Sequence, residues 1–396
     1  MALIALFLFA PLPLTILFQY VRPWGAWVRT GALAGFETSR ACSLFSWNAL
    51  RHAEFQKSCA AKFDAEFAGR TGLIFLTNET YFRLFKICLM KSAGLVVGKE
   101  GTLYEAGYVE EYCLRRTQTV PLSPLARDLK RLQEACQRTG TAFVVLISPS
   151  KAAIYPEYIP DSWMRRYDPR PRAYEDLVAS LRREGVHYVD GHAITAEAKS
   201  HAPAPVFPKG GTHWSQYAAW LTTNAMIASL QSQGRPLRPV EYEALKVSDR
   251  PTGEDADILA LLNLAVPWRY PVAELKIKQA PGQDPRPTLA ISGGSFVWKI
   301  AHLLNDSRQC SEIDFYSYYK TYKTAFANGA FKVVAVPVKS VDFKREIYAA
   351  DCLVLEVNEA TLCWPTTTRS FVDDALEHAP DGQKPKAQFR YELPTK

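Results

Sequence analysis

The sequence of 396 residues lacks the short patterns that indicate a cofactor or a metal. None of its cysteines has the C-x-x-C spacing of a structural zinc site. It contains neither a G-x-G-x-x-G stretch after a strand nor a P-loop. It also has no basic helix or recognisable nucleic-acid module. We therefore expect no metal, no cofactor and no nucleic-acid partner.

Charge is absent from the first 21 residues, MALIALFLFAPLPLTILFQYV. An uncharged apolar run of this length is typical of a signal peptide or a signal anchor, although Pro11 and Pro13 interrupt it. A buried hairpin of the fold is the alternative interpretation. We expect residues 1–34 to direct export or anchoring. Residues 35–396 would then form a periplasmic domain associated with the inner membrane.

Neither sign of charge dominates, because 47 Lys and Arg face 40 Asp and Glu, giving a net charge of +7. A mildly basic surface is compatible with nucleic acid, anionic lipid or an acidic polysaccharide, and the charge alone does not choose among them. The apolar share of 48% is sufficient for a core. Eight cysteines fit an exported protein with disulfides, whose pairing the sequence does not define.

Apolar runs alternate with stretches of helical periodicity from residue 122 onward. This alternation predicts an α/β fold with a doubly wound, mostly parallel sheet. Residues 234–287 contain several Pro and Gly and interrupt the pattern as a long excursion. The predicted strands are AFVVLISP (142–149), VHYVD (186–190), EIDFYSY, FKVVAVPV and DCLVLEV, together with a strand in TLAISGGSF (288–296) that runs into a Gly-Gly turn.

Two loops carry residues suited to nucleophilic chemistry. Ser295 follows an apolar strand and two glycines, a context that exposes a hydroxyl and places the Gly294 N–H where an oxyanion forms. A serine hydroxyl needs a base to remove its proton. Among the seven histidines His213 is the best candidate, since it precedes a helix in GGTHW and Trp214 beside it is suited to wall the site. The alternative is a capping serine and a structural histidine.

The stretches GTHWSQYAAW and ISGGSF resemble the paired motifs of the alginate O-acetyltransferase AlgX/AlgJ family. VVGKEGTLY, VVLISPSKAAIYPEYIP and DCLVLEVNEATL are also similar, and the likeness covers roughly residues 60–365. The resemblance implies an SGNH-hydrolase-like fold in which the histidine motif precedes the serine motif. It also implies an exported enzyme that acetylates a polysaccharide, with acetyl groups supplied through a membrane-bound O-acyltransferase.

The resemblance makes Ser295 the nucleophile and His213 its general base. The family has an acidic residue two positions before the histidine, where this sequence has Gly211. Such an acid orients the imidazole, so its loss bears directly on catalysis. Three interpretations stay open: a Ser–His dyad, another acid such as Asp190 or Glu356 in the orienting role, or a degenerate site.

Further residues are candidates for lining the cleft. Asn358 ends the last apolar strand and either lines the cleft or caps a helix. Tyr316, Tyr319 and Lys320 lie in DFYSYYKTYK, a composition suited to stacking on sugar rings and attracting their carboxylates. The alternative is an amphipathic element with half-buried tyrosines. Trp214 is the remaining candidate for substrate contact.

Three functions are consistent with these residues. The first is an exported O-acetyltransferase that modifies an alginate-like polysaccharide through a serine acyl-enzyme. The second is a carbohydrate esterase, in which water replaces the sugar hydroxyl as acceptor. The third is a polysaccharide-binding or scaffold protein whose site has degenerated at Gly211.

Overall fold

A computed structural model describes residues 33, 46–59, 70–89, 94–114, 122–266, 268–280, 286–320, 322–336, 340–363 and 366–380. Apart from Leu33, the predicted export segment 1–34 lies outside the described residues. No helix within the described ranges has the length and apolar character needed to cross a membrane.

The chain divides into two compact units, residues 1–97 with 257–269 and residues 98–256 with 270–396. The described helices of both units, numbered along the chain, are α1 Trp47–Arg51, α2 Arg70–Thr80, α3 Ala106–Leu114, α4 Leu122–Thr139, α5 Lys151–Ile154, α6 Asp161–Met164, α7 Ala173–Glu184, α8 Gly191–Ala198, α9 Gln216–Gln231, α10 Asp257–Leu261, α11 Val297–Asp306 and α12 Thr366–Glu377. Short 3-10 turns at Lys99–Gly101, Pro156–Tyr158, Gly253–Ala256 and Glu359–Thr361 and π turns at Tyr81–Phe85 and Phe343–Ile347 complete the helical elements.

The described strands are β1 Leu95–Val97, β2 Leu103–Glu105, β3 Ala142–Ser148, β4 Tyr188–Asp190, β5 Tyr242–Ser248, β6 Val272–Ile277, β7 Thr288–Gly293, β8 Glu312–Ser317, β9 Tyr322–Ala327, β10 Ala330–Ala335 and β11 Cys352–Asn358. The first unit contains α1, α2, α10 and β1. Within it, the Asn78 side chain donates to the Leu262 carbonyl at 2.8 Å, and the Phe82 ring lies edge-on to Trp268 at 5.1 Å.

The second unit is built on a seven-stranded sheet with the order β10-β9-β8-β7-β11-β3-β4. The five strands from β8 to β4 run parallel, whereas β9 and β10 are antiparallel to their neighbours. The expected α/β sheet is therefore present as a mixed sheet with helices. Because β8, β7, β11 and β3 are parallel, their carboxyl ends lie at the same edge, where open α/β sheets collect reactive groups.

The side chains of β3 show why both faces of the sheet are covered. Phe143, Val145 and Ile147 belong to a buried cluster with α4, α7 and α12. Val144 and Leu146 belong to a second cluster with α9 and α11. Successive residues of a strand point to opposite faces, so a continuous apolar run needs helices on each side.

Two segments differ from their expected form. The tyrosine-rich stretch forms β8, a turn and the antiparallel strand β9. Tyr318 and Tyr319 occupy this turn with φ of 53° and 45°, a left-handed conformation that non-glycine residues seldom adopt. The excursion at 234–287 contains the antiparallel pair β5 and β6.

Three cysteines are buried thiols rather than disulfide partners: Cys136, Cys310 and Cys352. Burial raises the pKa of Cys136 and Cys352 to about 12. The disulfides expected from the sequence therefore do not involve these three cysteines.

Candidate active site

Ser295 lies in the short turn between β7 and α11, at the carboxyl edge of the sheet. The turn approaches β11 so closely that a Cβ on Gly293 would lie 2.6 Å from the Cβ of Glu356. Only glycine fits there, so the GGS sequence lets strand β7 approach β11 this closely. The hydroxyl of Ser295 faces a cleft of about 290 Å³.

His213 approaches Ser295 from the loop before α9. Ser215 caps that helix by accepting from the N–H of Ala218 at 3.2 Å, which sets where the loop ends. Nε2 of His213 lies 2.7 Å from Oγ of Ser295, and the ring of Phe296 packs edge-on against the imidazole at 5.0 Å. At this distance the imidazole can accept the hydroxyl proton, as a general base must.

Lys151 holds the loop that precedes His213. Its side chain is only 2% exposed, and its Nζ donates to the carbonyls of Pro208 at 2.5 Å, Lys209 at 2.9 Å and Gly211 at 2.9 Å. Three carbonyl oxygens match the three donors of an ammonium. A buried charge therefore organises the backbone on the amino-terminal side of the histidine.

The position of Gly211 is shaped by its neighbours. A Cβ there would lie 2.7 Å from the carbonyl oxygen of Glu254 and 3.0 Å from that of Asp255. The 254–255 backbone is itself fixed, because Tyr270 donates to the Asp255 carbonyl at 2.6 Å and Lys299 pairs with its carboxylate at 2.6 Å. An acidic side chain at position 211 would therefore require the 254–255 backbone to shift.

Glu356 is a buried carboxyl group beside the turn that carries Ser295. Its Oε2 accepts from the Gly294 N–H at 2.6 Å, and its Oε1 accepts from the Ser148 hydroxyl. Burial raises the pKa of Glu356, although the bonds from Ser148 and Gly294 and the proximity of His213 each lower it. Glu356 therefore links the carboxyl ends of β7, β11 and β3.

Asn358 completes this network. Its amide nitrogen donates to Ser148 Oγ at 3.1 Å and to the Pro149 carbonyl at 3.3 Å. Its side-chain oxygen accepts from the N–H of Ala360, which caps the following turn. The capping alternative is thus realised, while Asn358 also lines the cleft.

Tyr318 is a site residue that sequence reasoning missed. Its phenol donates to Ser295 Oγ at 3.0 Å, and its side chain is 42% exposed. Its position at the carboxyl end of the predicted strand EIDFYSY is the signal that would have indicated it, since reactive groups collect at such ends.

Asp190 makes its contacts elsewhere. One carboxylate oxygen accepts from the Ala193 N–H at 2.9 Å as the cap of α8, and the other accepts from the Tyr174 hydroxyl at 2.8 Å. The structure brings Ser295 and His213 together and places Asp190 in this separate set of contacts. An orienting role for Asp190 stays a prediction.

The aromatic candidates for substrate contact lie in the interior. Trp214 is 0% exposed, Tyr316 2% and Tyr319 6%, so these rings present no face to a sugar. The hydroxyls of Tyr316 and Tyr319 donate to neighbouring carboxylates at 2.8 and 2.7 Å. Lys320 is exposed, with Nζ 5.3 Å from the ring centroid of Tyr318. In the stretch DFYSYYKTYK, Tyr318 is the tyrosine whose hydroxyl contacts Ser295.

The cleft beside Ser295 is lined by both polar and apolar side chains. Threonines and the turn of β7 form much of its surface, with Tyr318 and Tyr108 as aromatic members. Within the described ranges no group of three or more His, Cys, Asp or Glu side chains is arranged to hold a metal ion. Its lining residues are Tyr108, Ser292, Gly293, Gly294, Ser295, Phe296, Tyr318, Leu355, Glu356, Val357, Asn358, Thr361, Thr366, Thr367 and Thr368.

A serine hydroxyl beside an imidazole, at the carboxyl edge of an α/β sheet, is the arrangement used by serine-dependent hydrolases and acyltransferases. The family model described as SGNH hydrolase-like domain, acetyltransferase AlgX, matches residues 95–296. That stretch is just over half of the chain and includes both His213 and Ser295. The chain belongs to this family of SGNH hydrolase-like domains.

Two curated relatives are probable alginate O-acetylases AlgJ. The one from Pseudomonas putida is 26% identical over 214 residues, covering 53% of this chain and 50% of that protein. The one from Pseudomonas aeruginosa is 26% identical over 178 residues, covering 43% and 41% respectively. The chain thus spans about half the length of the curated relatives it matches.

Solved structures of the same group also match. The O-acetyltransferase domain of P. putida AlgJ gives a TM-score of 0.47 at 16% identity, covering 71% of this chain and 99% of that one. P. aeruginosa AlgX gives a TM-score of 0.44 at 16% identity, covering 72% and 66%.

Proposed function

We propose that this protein is an exported polysaccharide O-acetyltransferase that works through an acyl-enzyme on Ser295. The observation that carries the proposal is the 2.7 Å separation between Nε2 of His213 and Oγ of Ser295 at the cleft. An alcohol becomes an effective nucleophile when a base at this distance removes its proton as the new bond forms.

The reaction has two transfers. Oγ of Ser295 bonds to the acetyl carbon of a donor ester while its proton passes to Nε2 of His213. The donor's alcohol then leaves with that proton, and an acetyl-serine remains. In the second transfer His213 removes a proton from a sugar hydroxyl, whose oxygen bonds to the acetyl carbon. The bond from that carbon to Oγ then breaks, and His213 returns the proton to Oγ, which regenerates Ser295.

The names of the relatives support an alginate-like acceptor, because both curated matches are probable alginate O-acetylases. The proposal includes a doubly wound, SGNH-hydrolase-like architecture in which the histidine motif precedes the serine motif. It also includes a periplasmic location at the inner membrane and an acetyl supply through a membrane-bound O-acyltransferase. These parts follow from the resemblance and from the uncharged N-terminal run.

The test uses the full chain with p-nitrophenyl acetate as donor and a uronate oligosaccharide as acceptor. We expect acetate release and acetylated oligosaccharide from the wild type, and loss of both to background in Ser295→Ala and His213→Ala. His201→Ala is the matched control, since His201 is exposed and lies outside the cleft lining.

Three other results have distinct meanings. Release of acetate without any acetylated sugar would favour the esterase. Equal rates for the wild type, Ser295→Ala and His213→Ala, all folded, would exclude catalysis by this pair. If these inactive proteins still bind the oligosaccharide, the result would favour a polysaccharide-binding protein whose site has degenerated at Gly211.

A further inference from the structure

An acyl transfer at Ser295 needs a hydrogen-bond donor for the oxygen that becomes negative. Donors placed in advance at that oxygen are among the largest contributions to such catalysis. The sequence indicates the Gly294 N–H for this task, and Asn358, expected to line the cleft, has an amide that is a second potential donor. In the structure both groups donate to other protein atoms.

Both expected donors are engaged by neighbouring groups. The Gly294 N–H donates to the buried carboxyl group of Glu356 at 2.6 Å. The Asn358 amide nitrogen donates to Ser148 at 3.1 Å and to the Pro149 carbonyl at 3.3 Å. Each bond would have to break before the donor could face a substrate.

The phenol of Tyr318 is differently placed. It lines the cleft and donates to Oγ of Ser295 itself at 3.0 Å. When Oγ bonds to an acyl carbon, the acyl oxygen is attached to that same carbon and comes within reach of the phenol. A neutral phenol is a suitable donor to such an oxygen.

The backbone fixes this placement. The N–H of Tyr318 donates to the Gly293 carbonyl at 2.7 Å, tying the turn after β8 to the end of β7. Tyr318 and Tyr319 adopt left-handed φ values of 53° and 45° in succession. Such conformations carry a cost and occur preferentially at functional sites.

We propose that Tyr318 is a catalytic residue that supplies the oxyanion donor, an inference that rests on the proposed function of Ser295. As Oγ bonds to the acyl carbon and its proton passes to His213, the C=O electron pair moves to the acyl oxygen. The Tyr318 hydroxyl turns from Oγ to this oxygen and stabilises its charge. When the pair returns, the alcohol leaves with the proton from His213, and Tyr318 keeps its own proton throughout.

The test compares Tyr318→Phe with the wild type and with Tyr322→Phe, a tyrosine that is 56% exposed on β9. Two readouts are used: hydrolysis of p-nitrophenyl acetate and the rate at which a fluorophosphonate labels Ser295. Labelling needs the nucleophile and a donor to the developing oxyanion but no acceptor sugar. Thermal unfolding checks that the ring substitution leaves the fold intact.

We expect Tyr318→Phe to lower both rates by about 100-fold, the usual effect of removing one oxyanion donor, with Tyr322→Phe unchanged. Rates within threefold of wild type would overturn the role of Tyr318, while loss of labelling in Ser295→Ala would still support the nucleophile. If the wild type is labelled no faster than Ser295→Ala, the proposed function fails and this inference fails with it.

Discussion

Nζ of Lys151 donates to the carbonyl oxygen of Gly211 at 2.9 Å, although 60 positions separate the two residues. The same ammonium binds the carbonyls of Pro208 and Lys209. The backbone leading to His213 is therefore held by one buried cation, at the position where the family pattern has an acid.

Replacing Lys151 by methionine should loosen the histidine loop. Methionine preserves much of the volume but removes a charged donor from three carbonyls, at a cost of about 1–3 kcal/mol in the free energy of unfolding. The Pro208 and Lys209 carbonyls would still accept from the N–H groups of Gly211 and Leu103. Urea unfolding measures this cost, and the rate of acetyl-ester hydrolysis should fall with it. Lys130→Met is the control, because Lys130 makes an exposed 3.4 Å contact and should change stability by less than about 0.5 kcal/mol. Equal effects of the two variants would contradict the role of Lys151.

Restoring an acid at position 211 should not improve the protein. Gly211→Ala already places a Cβ 2.7 Å from the Glu254 carbonyl, and overpacking of this kind costs about 1–3 kcal/mol. Gly211→Asp should cost at least as much and lower the acetyl-ester rate. Gly107→Ala is the matched control, since no described atom lies within 4 Å of its Cβ position. A faster Gly211→Asp enzyme would show that the loop accepts the acid.

Glu356→Gln should change how stability depends on pH. Folding raises the pKa of Glu356 above its ordinary value of 4.5. Its contribution to the free energy of unfolding is therefore fully present below pH 4.5 and is lost as pH rises through the pKa of the folded state. Glutamine does not ionise, so the stability of this variant relative to wild type should increase as pH rises, by at most about 1.4 kcal/mol per pH unit. Urea unfolding at several pH values above 4.5 provides the measurement.

A second glutamate provides the opposite trend as a control for Glu356. Glu346 has a lowered pKa, because burial raises it but bonds from Lys323 and Tyr316 outweigh that effect. Glu346→Gln should therefore lose stability relative to wild type as pH rises. The same trend in both variants would contradict the assignment for Glu356.

Asp190→Ala should affect stability more than catalysis. Removing the cap of α8 costs about 1 kcal/mol, and the Tyr174 hydroxyl loses its acceptor as well. Asp190→Asn retains a capping oxygen and should lie between the alanine variant and wild type. We expect acetyl-ester rates within a few fold of wild type in both variants. A loss of several orders of magnitude would instead assign Asp190 the orienting role at His213.

The extent of sequence-based prediction differs between the elements and the site. The helix at 122–139 and the strands at 142–148 and 352–358 agree with their predicted positions, because long apolar patterns specify buried elements directly. Strand β9, with the sequence YKTAFA, was not predicted, since its form depends on antiparallel pairing with β8.

The sequence by itself determined the alternating elements, the serine after its glycine turn and the histidine before its helix, since each depends on residues close in the chain. Tertiary structure alone decided that Glu356 accepts a hydrogen bond from the Gly294 N–H, that Lys151 donates to the carbonyls before His213 and that the Tyr318 hydroxyl contacts Ser295. These contacts join loops that meet only because parallel strands bring their carboxyl ends to one edge. Local pattern contains no information on which side chain fills the space between such loops.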